Sequence, residues 1–345
     1  MTEKSYLRWV IGNTKTCWWH DSADPRELDR GIERGAVGVT TNPFLSSIAL
    51  NANRGLWAKE IATVLGRGGK AEERAEALMR IPVMVAASKM LPEFERSEGR
   101  RGWVCCQVNP ARAGDRVRML EMARRVHGWA PNITVKLPAT AAGLDVLEDC
   151  VAAGICTTAT VGFTVPQVLA VAERHRRGIG RAKAKGIRAG GCFAVVMIGR
   201  LDDYLREVAE DARVDVSESD IRQAGIAVVK RAYSIYQERG YEAAMIIAAL
   251  RGTHHMTELA GAELIMSIFP GWQEPLMSGD LACEACIDRE VDPDVIRRLS
   301  QMSEFVRAYE ADGMKPEEFV TYGVTQRTLS QFFDAGWKLM ETFEA

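Results

Sequence analysis

Short apolar runs recur along the chain, and longer stretches with helical spacing of apolar and charged positions separate them. Eight runs read as strands: Cys17–Asp21, Ala36–Thr40, Trp103–Val108, Ile133–Leu137, Ile155–Thr158, Cys192–Met197, Ala243–Ala249 and Glu263–Ser267. Between them, Pro25–Gly35, Ala113–His127, Ala142–Ala153 and Ser217–Gly240 read as helices. Alternation of this kind predicts a parallel sheet, and eight units predict a closed (β/α)8 TIM barrel. The rival is an open doubly wound sheet, but no Gly-rich phosphate fingerprint follows the first strand. The long connection Phe44–Arg101 holds two or three extra helices in this reading. Helices from about Leu281 to Ala345 wrap the barrel, which runs from about residue 14 to 280 of a single domain. There is no internal repeat and no low-complexity linker.

At 345 residues and 47% hydrophobic, the chain can bury a large core. A net charge of −2 gives no reason to expect nucleic acid or an anionic membrane as partner. No stretch has the length of a transmembrane helix, and Met1-Thr2-Glu3-Lys4 lacks a signal-peptide apolar region, so the expected location is the cytosol. Most of the eight cysteines sit in strand-like runs, as Cys105, Cys106 and Cys192 do, and read as reduced core thiols. The lone pair Cys283 and Cys286 has no second pair to complete a zinc site, and no metal is expected. The basic segment around His175–Arg188 precedes a strand, which puts it on the face away from an active site, as a solvated helix and loop.

Candidate chemistry starts at strand four. Alternation puts Ile133, Val135 and Leu137 on one face and Thr134 and Lys136 on the other, with Pro138 ending the ladder. An amine on the inner face of a buried strand loses solvation as an ammonium, which favours the neutral nucleophile that attacks carbonyls. The bland alternative is a lysine that reaches solvent. Other strand ends tilt the balance, because barrel enzymes carry their chemistry there. Strand one ends in Asp21, strand two runs into Thr40-Thr41-Asn42-Pro43, strand three ends at Gln107, and strand five supplies Thr158 and Thr160. A carboxylate, amides, an amine and hydroxyls are the equipment for Schiff-base chemistry with proton shuttling through water.

These segments resemble a known family. Gly35-Ala36-Val37-Gly38-Val39-Thr40-Thr41-Asn42-Pro43, Val135-Lys136-Leu137-Pro138-Ala139-Thr140 and Gly154-Ile155-Cys156-Thr157-Thr158-Ala159-Thr160, with Gln167 beyond, look like transaldolase motifs. Met197-Ile198-Gly199-Arg200-Leu201-Asp202-Asp203 is similar to the family's sixth-strand motif, and the likeness spans roughly residues 17–270. It implies a class I enzyme without organic cofactor or metal, acting on a sugar or sugar phosphate in carbohydrate metabolism of the pentose phosphate type. Position by position, the resemblance makes Lys136 the Schiff-base lysine and Asp21 the group that takes the C4 hydroxyl proton. It makes Gln107 and Thr160 the residues that hold a catalytic water. Thr41, Asn42, Thr158, Met197, Arg200 and Arg251 are the implied substrate contacts, the two arginines around the phosphate. A homodimer is common among such barrels, and nothing in the sequence selects it.

The departures are specific. Gln107 stands where transaldolases carry glutamate and the fructose-6-phosphate aldolase branch carries glutamine. Met197 replaces an aromatic residue, Thr158 an asparagine, and Val195 and Ala249 two serines. The far end of the pocket is therefore less polar than usual, which opens the choice of phosphate, sulfonate or neutral tail. Transfer of a three-carbon dihydroxyacetone unit is the first expectation. Release of dihydroxyacetone by an aldolase and a non-catalytic sugar-binding barrel are the alternatives. His254 and His255 read as a surface pair, with substrate contact as the sharper option, and Trp18 and Trp19 read as packing residues.

Overall fold

A computed structural model of the protein describes residues 5–277 and 280–344. Eight parallel strands close into a barrel in chain order: β1 (Cys17–Asp21), β2 (Gly38–Thr40), β3 (Trp103–Gln107), β4 (Ile133–Pro138), β5 (Thr157–Thr160), β6 (Cys192–Met197), β7 (Ala244–Ala248) and β8 (Leu264–Ile268). β8 returns to pair with β1 through Cys17↔Ile265 to His20↔Ile268, which seals the sheet and leaves no edge. The expected (β/α)8 architecture is present. Three helices, Pro43–Ala52, Ala58–Gly66 and Ala71–Arg96, fill the long connection after β2. Among the described residues, no helix is long and apolar enough to cross a membrane.

Many helices begin immediately after a strand, and short polar side chains start them. Asn42, Thr140 and Thr164 each accept a backbone N–H of the helix that follows, at Leu45, Gly143 and Gln167. These caps fix the turns after β2, β4 and β5, and with them the height of the last inward side chain on each of those strands. Gly240 closes the helix Glu218–Arg239 in the left-handed region, where a Cβ is strained.

The interior is layered. At the bottom, Trp19 packs edge-on against Phe193 with centroids 4.8 Å apart. Gly38 makes room for that indole, since a Cβ there would lie 2.5 Å from the Trp19 ring. Above it, Thr134 and Thr158 share a 2.9 Å hydroxyl contact, and Cys105 Sγ lies 3.6 Å from Thr158 Oγ1. The polar groups of the site form the top. Trp18 and Trp19 are thus packing residues, as expected.

Some boundaries differ from expectation. β5 starts at Thr157 rather than Ile155, because the Ile155 N–H is spent on Cys150 O as the preceding helix ends. β2 starts at Gly38 rather than Ala36, whose N–H bonds back to Gly31 O. Pro138 stays in β4 and pairs with Thr160, and the N–H of Ala139 makes the ladder bond to Thr160 O that proline cannot. The basic segment lies largely on the helix Val165–Ala184, where Arg174 and Arg181 pair with Asp145, Glu148 and Asp149. Among its members His175 is buried, with Nε2 3.3 Å from Gly190 O.

Candidate active site

A cavity of about 370 Å³ opens at the C-terminal end of the strands, and both Lys136 and Asp21 line it. Lys136 rises from β4 and is only 6% exposed. Its amine donates to the backbone carbonyl of Thr41 at 3.1 Å, and among the described residues no carboxylate pairs with it. Asp21, at the end of β1, accepts from Thr40 Oγ1 at 2.7 Å, and Thr40 Oγ1 lies 2.6 Å from Ser267 Oγ. Burial raises the Asp21 carboxyl above its ordinary value, while the Thr40 and Ser267 hydroxyls and the charges of Lys136 and Arg200 pull it down. The amine and the carboxylate are therefore close enough for their charges to act on each other. The cap of the helix Pro25–Glu33 is Asp24, so Asp21 is not tied up in capping.

Gln107 lies directly across from Lys136 in the β3–β4 register, and Thr160 on β5 pairs with Pro138, two residues beyond Lys136. Both side chains are buried, and Gln107 Oε1 and Thr160 Oγ1 have no hydrogen-bond partner among the described residues. Neither residue is among those that line the cavity; buried polar atoms rarely go unpaired, and each of these keeps one unused hydrogen-bonding atom. Asn42 lines the cavity while its Oδ1 caps the helix Pro43–Ala52 at Leu45 N, 2.9 Å away. Met197 lines the cavity as well. The structure does not bring the hydroxyls of Thr41 and Thr158 to the cavity wall. Thr41 donates to Cys105 O at 2.7 Å and offers only its carbonyl to Lys136, and Thr158 faces Thr134 in the layer below.

The far end of the cavity combines apolar, aromatic and cationic groups. Val195, Ala248 and Ala249 line it from β6, β7 and the residue after β7; Phe269 and Trp272 follow β8. Phe332 comes from the helix Gly323–Phe332, far along the chain. Arg200 places its guanidinium 5.5 Å from the Phe332 ring centroid and donates to Gln331 Oε1 at 2.6 Å. Its Nε is buried without a partner among the described residues. Burial and the neighbouring Arg251 bring Arg200 down to about 10. Arg251 is more exposed: Nε and Nη2 bind Asp203 Oδ2 at 2.9 and 2.7 Å, and Nη1 donates to Ala249 O at 3.0 Å. Arg200 thus keeps free donors, whereas Arg251 is spoken for. Gln331, Phe332 and Trp272 have no signal in the strand pattern, while Ser267 and Phe269 follow from the strand-end rule carried on to β8.

His254 and His255 are not a surface pair, and neither lines the cavity. His255 is fully buried, with Nε2 2.8 Å from Asp202 Oδ2 and Nδ1 accepting the Arg251 N–H at 3.2 Å. His254 Nδ1 accepts from Arg222 at 3.1 Å, and burial lowers its imidazole to about 4. Asp202, His254 and His255 bring ligand-type atoms within 4.8 Å of one another. A divalent cation does not suit them, because both Nδ1 atoms face donors and both ring protons therefore sit on Nε2, that of His255 toward Asp202 and that of His254 without a partner among the described residues. The eight cysteines are free thiols, with Cys283 exposed and Cys286 buried.

Known proteins resemble this chain over most of its length. The sequence model of the family described as Transaldolase/Fructose-6-phosphate aldolase matches residues 18–332. A protein named Transaldolase from Thiobacillus denitrificans is 31% identical over 327 residues, covering 90% of this chain and 88% of that protein. Transaldolase 1 of Streptomyces avermitilis is 27% identical over 231 residues, 64% of this chain and 61% of that one. Transaldolase of Neisseria gonorrhoeae is 31% identical over 216 residues, 61% of this chain and 59% of its own. With the closed barrel and the lysine-bearing cavity, these matches place the chain in the transaldolase/fructose-6-phosphate aldolase family of enzymes.

Proposed function

We propose that the protein transfers a three-carbon dihydroxyacetone unit from a ketose or ketose phosphate to an aldose acceptor through a Schiff base on Lys136. The observation that carries this reading is one cavity shared by a buried amine without a carboxylate partner and a carboxylate without a capping role. The Lys136 nitrogen attacks the ketose carbonyl, and loss of water gives an iminium. Asp21 then takes the proton of the C4 hydroxyl as the C3–C4 bond breaks, and the bond's electron pair flows into the iminium to leave an enamine. The aldose departs, and the acceptor aldehyde takes up the enamine by the same steps in reverse. Water enters and leaves beside Gln107 and Thr160, whose free buried atoms suit that task.

One observation favours a second outcome. Gln107 stands on β3 where the transaldolase pattern has glutamate, so protonation of the enamine and release of dihydroxyacetone is the competing fate. Fructose 6-phosphate incubated with and without erythrose 4-phosphate separates the two. Transfer predicts product only when the acceptor is present; equal release of dihydroxyacetone in both tubes makes the protein an aldolase. A cytosolic setting accords with this reading, and a homodimer is the assembly to test by light scattering.

A further inference from the structure

Val161, the residue after β5, is β-branched and fully buried, yet its φ is 57°. A valine in the left-handed region is strained and stays there only if its surroundings hold it. Gln167 supplies the hold. It sits in the first turn of the helix Val165–Ala184, is fully buried, and its carboxamide folds back onto the strand ends. Nε2 donates to Val161 O at 3.0 Å and to Ala139 O at 3.3 Å, while Oε1 accepts Phe163 N–H at 2.9 Å and Thr164 Oγ1 at 3.1 Å. One side chain thus ties the residue after β5 to the residue after β4, the two strands that carry Thr160 and Lys136. The chain has no slack to relax into, because a Cβ on Gly162 would lie 2.5 Å from Val195 O and Met197 N–H bonds Gly162 O at 2.8 Å.

We propose that Gln167 is a positioning residue for the reaction: it clamps Val161 in its left-handed conformation and so fixes the height of Thr160 Oγ1 relative to Lys136. The inference rests on Thr160 helping to hold the reacting water. Strain at a strand end bearing a free buried hydroxyl is what a preorganised site requires.

The test measures steady-state kinetics and the rate of borohydride-trapped adduct formation for Gln167→Met and Gln167→Glu. The second variant keeps an acceptor for Phe163 and loses both donors. Both variants are expected to lower kcat about tenfold to hundredfold with KM changed less than about twofold. Adding Val161→Gly, where positive φ carries no steric penalty, should recover at least about fivefold of the lost kcat. No recovery in either background makes Gln167 a packing support and overturns the proposal, as does wild-type kcat in both single variants. Thr160→Ala runs in parallel. If it alone matches wild type, the water-holding reading fails, whereas a slow Thr160→Ala beside normal Gln167 variants sinks only the clamp.

Discussion

Two walls of one cavity are built by different rules. The wall from β1 to β4 consists of side chains at or just beyond strand ends, where ladder register sets their height. Asp21, Thr40, Asn42 and Lys136 belong to it, and their partners are one another or nearby backbone. The opposite wall draws on β6 to β8 and on segments beyond the barrel: Met197, Phe269, Trp272, Phe332 and the two arginines. On the proposed function, the difference divides labour. Bond-making needs tolerances that a sheet supplies, and recognition of the remote end of a substrate can be delegated to loops and helices that vary independently.

Perturbing the strand-built wall should cost most. Lys136→Met removes the proposed nucleophile and is expected to lower kcat at least about 10³-fold with loss of borohydride-trapped adduct, read by intact mass. If an adduct persists in that variant, another lysine does the work and the comparison breaks. Asp21→Asn comes next, with kcat falling about 10²- to 10⁴-fold. Its effect on stability has the opposite sign. Burial raises the Asp21 carboxyl in the fold, so the native state holds that proton more tightly than the unfolded chain does. Stability is therefore fullest at low pH and declines as pH rises through the raised value. The asparagine variant escapes that loss and should melt above wild type at neutral pH, the two converging below about pH 4, the ordinary carboxylate range. For the same reason, the acid limb of the wild-type kcat/KM profile should lie above that range, since Asp21 must be ionised to accept a proton.

The recognition wall should respond in KM. Arg200→Ala removes the cation whose Nε is unpartnered, and a charged hydrogen bond of about 1.5–3 kcal/mol corresponds to a KM rise of about tenfold to hundredfold for a donor with an anionic tail. An uncharged ketose should change less than about twofold, and equal losses on both donors would erase the division between the walls. The smallest effect is expected from Gly336→Ala. A Cβ there would lie 2.4 Å from Phe44 N, so the Phe333–Trp337 turn that follows Phe332 must shift. Overpacking of this kind costs about 1–3 kcal/mol of stability, and a few-fold rise in KM with unchanged kcat would show that the segment serves recognition alone.

The two walls also differ in how far the sequence reveals them. Strands buried between barrel and helices read as apolar runs, so all eight were legible, and a two-residue period put Lys136 and Thr134 on the inner face. That period separates inside from outside but carries no information on height or hydroxyl direction. Thr158 is inward yet one layer too low, and Thr41 turns its hydroxyl to Cys105 O, for that reason. Gln331 and Phe332 sit in an ordinary amphipathic helix, and only tertiary packing brings them to Arg200. His254-His255 looks like a loop pair because the partner that His255 meets inside the fold, Asp202, lies more than fifty residues earlier.

Synthesis runs from the amino end, so every strand of the barrel leaves the ribosome before Phe332 does. The ring of Phe332, which lines the cavity beside Arg200 in the finished fold, is thus among its last parts to be made. That part of the wall is held in place where Gly336 nests against the Phe44 backbone, a contact that joins the two ends of the chain around the cavity.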